Sequence, residues 1–182
     1  MTEVVLGSLA FADHAPIPAR YTADGAGVSP PLQWHGVPSA AAALLLIVED
    51  ADAPTPNPLV HAIVVGLDGG DGALSEAALP SRDHAGVGLK VGRNSLLQAS
   101  WLAPDPPPGH GVHRYVFQVF ALGPGAALGD EPGRDAVLGA IQAHGLASGC
   151  LIGTYERPDT SIVAPVDEEG VSMPTLSLPA VA

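Results

Sequence analysis

At 182 residues, 47% hydrophobic but only 4% aromatic, the chain is long enough for one domain whose core is packed by Ala, Val and Leu. Seven basic residues against 19 acidic ones leave a net charge of −12. That excludes a phosphate-tracking nucleic-acid binder and an electrostatic membrane-surface protein, both of which need clustered Lys and Arg. Any anionic ligand must be held locally, by N–H groups, His or Arg, against that field.

The 22 Gly and 19 Pro call for many turns and short strands. The opening MTEVVLGSLAFADHAPIP has no basic n-region and no apolar h-region, so no signal peptide is expected. The longest apolar run, residues 40–48, is too short to cross a bilayer. Cys150 is alone, allows no intrachain disulfide, and reads as a small core side chain. We therefore expect a soluble, cytoplasmic protein.

In chain order, residues 3–9 read as a first strand and residues 24–27, DGAG, as a turn. Residues 29–34 are extended, because each residue before a Pro is pushed out of the helical region, and Trp34 reads as a core anchor. Residues 41–49 are short, aliphatic and bounded by Pro38 and an acidic turn, which fits a buried central strand. That strand runs into Asp50-Ala51-Asp52-Ala53-Pro54. Two readings stay open for the acids: a solvated turn, or the mouth of a site with one carboxylate free for a ligand and the other paired with Arg114. Residues 61–66 form another strand led by His61, which at a strand start reads first as structural. Residues 67–101 are glycine-rich and read as loop, with a short strand at 89–91 and Asn94 suited to a turn or left-handed position.

Residues 113–122, HRYVFQVFAL, alternate without Gly or Pro and predict a strand buried on both faces. His113 and Tyr115 share one side; Arg114 faces the other and needs an acidic partner if buried. The preceding APDPPPGHG is irregular, and its glycines free backbone N–H groups to approach a ligand. Residues 129–132 make a helix entry. Val137, Ala140, Ile141 and His144 then share a helical face before the stop at Gly145. Residues 151–156 read as a final strand, and residues 158–182 as an extended tail.

Five segments in order carry a likeness: YTADGAGVSPPLQWHGVP at 21–38, DADAP at 50–54, His61 opening its strand, PPPGHGVHRYVF at 106–117 and GTYER at 153–157. Together they resemble the phosphatidylethanolamine-binding protein family, in its bacterial Raf-kinase-inhibitor-like branch, over residues 8–157. The resemblance implies a mainly β fold, with a large antiparallel sheet, a second smaller sheet and few short helices. It implies a pocket, without cofactor, where the acidic and G-x-H-R segments meet, taking phosphate-containing head groups or similar small anions or zwitterions. By motif, Asp50, His61, Gly111, His113 and Tyr115 become ligand-binding residues, and Asp52, Pro54 and Arg114 structural ones. It also implies a regulator or inhibitor of a partner enzyme, a kinase or protease, and is compatible with a homodimer. Ala51 stands where the family usually has Pro, and Trp101-Leu102-Ala103-Pro104 replaces a more usual Tyr-x-Gly-Pro.

The residues suit such a ligand. N–H groups near residues 109–111, with His61 or His113, hold phosphate; Asp50 holds an ammonium or shares a proton. Affinity is then expected to fall as pH rises above roughly 6.5 and the imidazoles lose charge. No nucleophile-elbow motif is present, so an enzyme is not expected. The alternative is a metal-dependent hydrolase using Asp50, Asp52, His61 and His113, although Asp52 is claimed by Arg114 and no compact metal spacing occurs.

Overall fold

The computed structural model describes residues 2–159. Apart from Pro158 and Asp159, the tail expected at the C-terminus lies outside the described residues. The strands are β1 (Thr2–Glu3), β2 (Val5–Gly7), β3 (Ala15–Pro16), β4 (Leu32–His35), β5 (Ala43–Asp50), β6 (Leu59–Asp68), β7 (Gly72–Leu74), β8 (Lys90–Gly92), β9 (His113–Leu122) and β10 (Gly145–Tyr155). Helix α1 (Arg134–His144) lies between β9 and β10. The fold is mainly β, with a seven-stranded sheet ordered β1-β10-β9-β5-β6-β8, β3 also pairing β10, and a three-stranded sheet β2-β4-β7. The pairings are antiparallel except for the short edge strands β1 and β3, which run parallel to β10.

Strand alternation divides the apolar side chains into two layers. Leu44, Leu46, Val48, Tyr115, Phe117 and Val119 face the small sheet's Leu6, Leu32, Trp34 and Leu74. Leu45, Ile47, Ile63, Val65, Phe120 and Leu122 face the other way and are covered by Val137 of α1. Burying each such side chain contributes about 1.5–3 kcal/mol, which is why the aliphatic runs become central strands. Trp34 anchors the small sheet, its indole N–H donating to Gly70 O at 3.0 Å.

The register of β5 against β6 slips where the site begins. Val48 pairs Ala62 but Glu49 pairs Val60, so His61 is the extra residue of a β-bulge. Val60 and Ile63 face the α1 layer while Ala62 and Val64 face the other. The bulge turns His61 onto the side of Tyr115.

Several sequence expectations are corrected. β9 is buried on both faces only in its second half, because α1 reaches Phe120 and Leu122 but leaves Val116 and Gln118 half-exposed and Arg114 exposed. Cys150 is exposed, since Ala147, Gly149, Leu151 and Gly153 take the inward positions of β10. β10 begins at Gly145, directly after α1, well before the expected residue 151. The expected first strand is broken into β1 and β2, and the expected loop contributes the end of β6 and all of β7, while β8 matches the short strand expected at 89–91 within one residue. Asn94 is not left-handed; Leu97 is, at φ +61°. The Asn94 carboxamide instead holds the turn, accepting from the N–H groups of Leu96 (2.9 Å) and Gln98 (3.1 Å).

Candidate functional site

The ends of β5, β6 and β9 bring Asp50, His61, His113 and Tyr115 together, each no more than 3% exposed. Asp50 pairs in register with Tyr115 on one side and Leu59 on the other. Its Oδ2 accepts from His113 Nδ1 at 2.7 Å, and its Oδ1 from the Asp52 N–H at 2.9 Å. A carboxylate so engaged fixes the imidazole's orientation and tautomer. The other nitrogen of His113, Nε2, lies 2.7 Å from Nδ1 of His110, an exposed residue that folds back over the pocket. Gly109 (φ +73°) and Gly111 (φ +88°) flank His110 and supply the left-handed hinges this reversal needs.

His61 donates from Nδ1 to Leu102 O at 2.6 Å. Burial pushes its pKa down, so the ring is held neutral and Nε2 is a bare acceptor. This corrects the expectation that charge on His61 recruits an anion. Tyr115 meets His61 edge-on, ring centroids 5.1 Å apart and planes at 79°. Burial and then the Asp50 charge push the Tyr115 pKa up, so the phenol keeps its hydrogen. Trp101 lies 6.3 Å from His61 and stacks on Phe117. Among the described residues, His61 Nε2, Tyr115 OH and Trp101 Nε1 are buried without a hydrogen-bond partner.

Asp52 and Arg114 are paired as the sequence suggests. Asp52 Oδ2 accepts from the Arg114 backbone N–H and Nε, and Oδ1 from Nη2, each at 2.8 Å. The guanidinium beside it holds the Asp52 pKa at about 2. The pair is not buried, however: the Arg114 side chain is 57% exposed. Ala51, in place of the family's usual Pro, donates its N–H to Arg114 O at 3.0 Å, a bond Pro could not make. Pro54 is exposed and Gly111 half-exposed, the latter serving as one of the two hinges beside His110.

Sequence reasoning placed the segment before β9 beside a ligand but missed the contact of His110 with His113 and the Leu102 carbonyl as the partner of His61. It also missed the ties that hold the segment carrying them. Asp24 accepts from Arg157 Nε (2.7 Å) and Nη2 (2.6 Å) and from Tyr155 OH (2.5 Å), while Arg157 Nη1 reaches Asp105. The Gly109 N–H donates to Arg157 O at 2.9 Å and Ala23 N–H to Pro104 O at 2.9 Å. The spaced motifs TADG and TYER were the available signal for this contact. Beside the cluster, a cleft of about 590 Å³ is lined by Gly25, Gly27, Ser100, Trp101, Leu102 and Asp105 among others. Among the described residues no group of three His, Cys, Asp or Glu side chains could hold a metal, because Asp52 is engaged by Arg114 and Asp50 by His113.

The buried Asp–His pair, the bulged histidine and the Pro/Gly strap of residues 101–111 beside an antiparallel sheet define a ligand-binding protein of the class the motifs suggested. The chain belongs to the phosphatidylethanolamine-binding protein family, whose sequence profile matches residues 7–156. It is 39% identical over 150 residues to the UPF0098 protein of Methanothermobacter thermautotrophicus, covering 81% of this chain and 95% of the relative. It is 39% identical over 153 residues to the UPF0098 protein Rv1910c of Mycobacterium tuberculosis, covering 84% and 70%. Among solved structures it resembles Escherichia coli YbcL, a member of the mammalian family by its description, with a TM-score of 0.75, 26% identity and coverage of 85% and 99%. The Chlamydia trachomatis homologue CT736 gives 0.74 at 32% identity, covering 86% and 99%.

Proposed function

We propose that the protein binds a small oxyanion, a phosphate group or a phosphoethanolamine-like head group, at the cluster of Asp50, His61, His113 and Tyr115. One observation carries this: three buried polar atoms around His61 lack a partner among the described residues. Each costs stability, and a tetrahedral oxyanion brings several hydrogen-bonding oxygens to answer them. The role is binding rather than turnover. The Asp50–His113 pair leads to an imidazole, His110, where a hydrolytic triad would carry a hydroxyl or thiol. Occupancy would displace His110 and reshape the strap, which is the surface a partner kinase or protease would read.

No helix among the described residues is long and apolar enough to cross a membrane. A cytoplasmic location fits its single cysteine, whereas LppC of Mycobacterium tuberculosis, 37% identical over 155 residues, carries a lipoprotein name. The test is titration of phosphate and of O-phosphorylethanolamine followed by amide NMR. Shifts should map to residues 50–52, 61, 101–103 and 110–115, with a Kd of order millimolar (about −4 kcal/mol), and His113→Ala should weaken them. Shifts mapping elsewhere refute the assignment.

A further inference from the structure

The hydrogen-bonding inventory around His61 is unusually constrained. Its Nδ1 faces a carbonyl oxygen, Leu102 O, which can only accept, so Nδ1 carries the ring's hydrogen. Burial keeps the ring from taking a second one. Nε2 is therefore a buried lone pair, and it lacks a partner among the described residues. Tyr115 is the neighbouring ring at 5.1 Å, yet its hydroxyl makes no bond to Nε2 and is itself unpartnered. The titratable groups that act on His61 are Asp50 and His113, and these are bonded to each other. The second nitrogen of His113 is taken by His110.

Trp101 adds an indole N–H, which can only donate, and its side chain is likewise buried and unpartnered. The cluster thus contains one obligate acceptor, one obligate donor, and a phenol able to do either. A fully ionised oxyanion has only acceptors. It would satisfy Trp101 and Tyr115 but set lone pair against lone pair at His61.

Resting on the oxyanion reading above, we propose that this pocket selects an oxyanion that still carries an O–H, such as hydrogen phosphate or a phosphate monoester in its acid form. The O–H donates to His61 Nε2, and the bare oxygens accept from Trp101 and Tyr115. No bond is made or broken beyond these hydrogen bonds. His61 is then a specificity-determining residue that reads the ligand's proton.

Three anions separate the possibilities in titrations of the full chain by calorimetry or amide NMR. At about pH 8, sulfate and inorganic phosphate are dianions of one shape, and only phosphate keeps an O–H. Phosphate should bind at least about tenfold tighter than sulfate, because sulfate leaves a buried acceptor unmet. Methyl phosphate, standing for a head-group ester, loses its last O–H above a pKa of roughly 6. Between about pH 5 and pH 8 it should therefore lose at least about tenfold more affinity than inorganic phosphate does. His61→Leu removes the acceptor altogether and should close the gap between sulfate and phosphate. Should that variant fail to fold, the wild-type comparison decides alone. Sulfate binding as tightly as phosphate overturns this inference and leaves the oxyanion reading standing. Shifts with none of the three anions overturn both.

Discussion

Removing the hydroxyl of Tyr115 should make the ligand-free protein more stable. Tyr115 is wholly buried, and its hydroxyl has given up water without gaining a partner among the described residues. A buried hydroxyl in that position costs about 1–3 kcal/mol. Tyr115→Phe keeps the ring and its edge contact with His61 at 5.1 Å, and opens no cavity of consequence. A chain of this size gains roughly 2–4 °C in Tm per kcal/mol, so the variant should melt on the order of 2–12 °C higher. Calorimetry in phosphate-free buffer reads this directly. Repeated with phosphate at ten times Kd, wild type should gain about 1.4 kcal/mol by mass action, and the variant less. A variant that melts below wild type without ligand would show that the hydroxyl is already satisfied and would refute the reasoning.

Asp52→Asn should lower the urea midpoint more than Arg114→Leu, because Asp52 also accepts the backbone N–H of Arg114 while the Arg114 side chain is exposed; the reverse order contradicts the geometry. The Asp52 pKa is about 2 in the fold against an ordinary 3.8, so its contribution is complete above that value and fades as pH falls toward 2. Asp52→Asn should flatten the stability curve in that window. His61 has a folded pKa below its ordinary 6.5, so the unfolded chain takes up the proton first and wild-type stability should decline as pH falls through that value. Urea midpoints on either side of 6.5 should show a smaller decline for His61→Gln. Gly109→Ala should loosen the strap and weaken phosphate binding, since the position has φ +73° and a Cβ there would lie 2.9 Å from Asp159 Cβ. Unchanged affinity in the NMR titration would show that the strap does not shape the pocket.

The parts of this fold legible in the sequence are those governed by one local rule. The bounds of β9 match their expectation because strict alternation is fenced by Pro and Gly on one side and Gly123-Pro124 on the other. α1 lies within the expected span, with Gly133 and Gly145 at its ends. Arg114 shows where such rules stop: alternation gave its face, and pairing gave Asp52, but only the reach of α1 decides that the face is open. The bulge at His61 could not be read, because one inserted residue leaves the composition of β6 unchanged while reversing which side the histidine takes. His110 was hidden for a similar reason. A spacing of three from His113 is no strand period, and only the two left-handed glycines bring the rings to 2.7 Å.

These unread features cluster at one end of the large sheet, and that placement has a cause. Where β5, β6 and β9 end, ladder hydrogen bonds give way to side-chain ones: Asp50 to His113, His61 to Leu102 O, Asp52 to Arg114. Those bonds hold the groups rigidly without exhausting them, so the leftover capacity sits on His61, Tyr115 and Trp101 in fixed positions. The strap that encloses them is pinned from outside by Asp24, Arg157 and Asp105, on residues far apart in the chain. On the proposed oxyanion reading, the stability that these unmet atoms cost the free protein becomes binding energy when the ligand answers them. The same atoms should therefore report twice, as a stability gain when deleted and as an affinity loss in the same variant. A substitution at Tyr115 that changed one without the other would break the link between site and function.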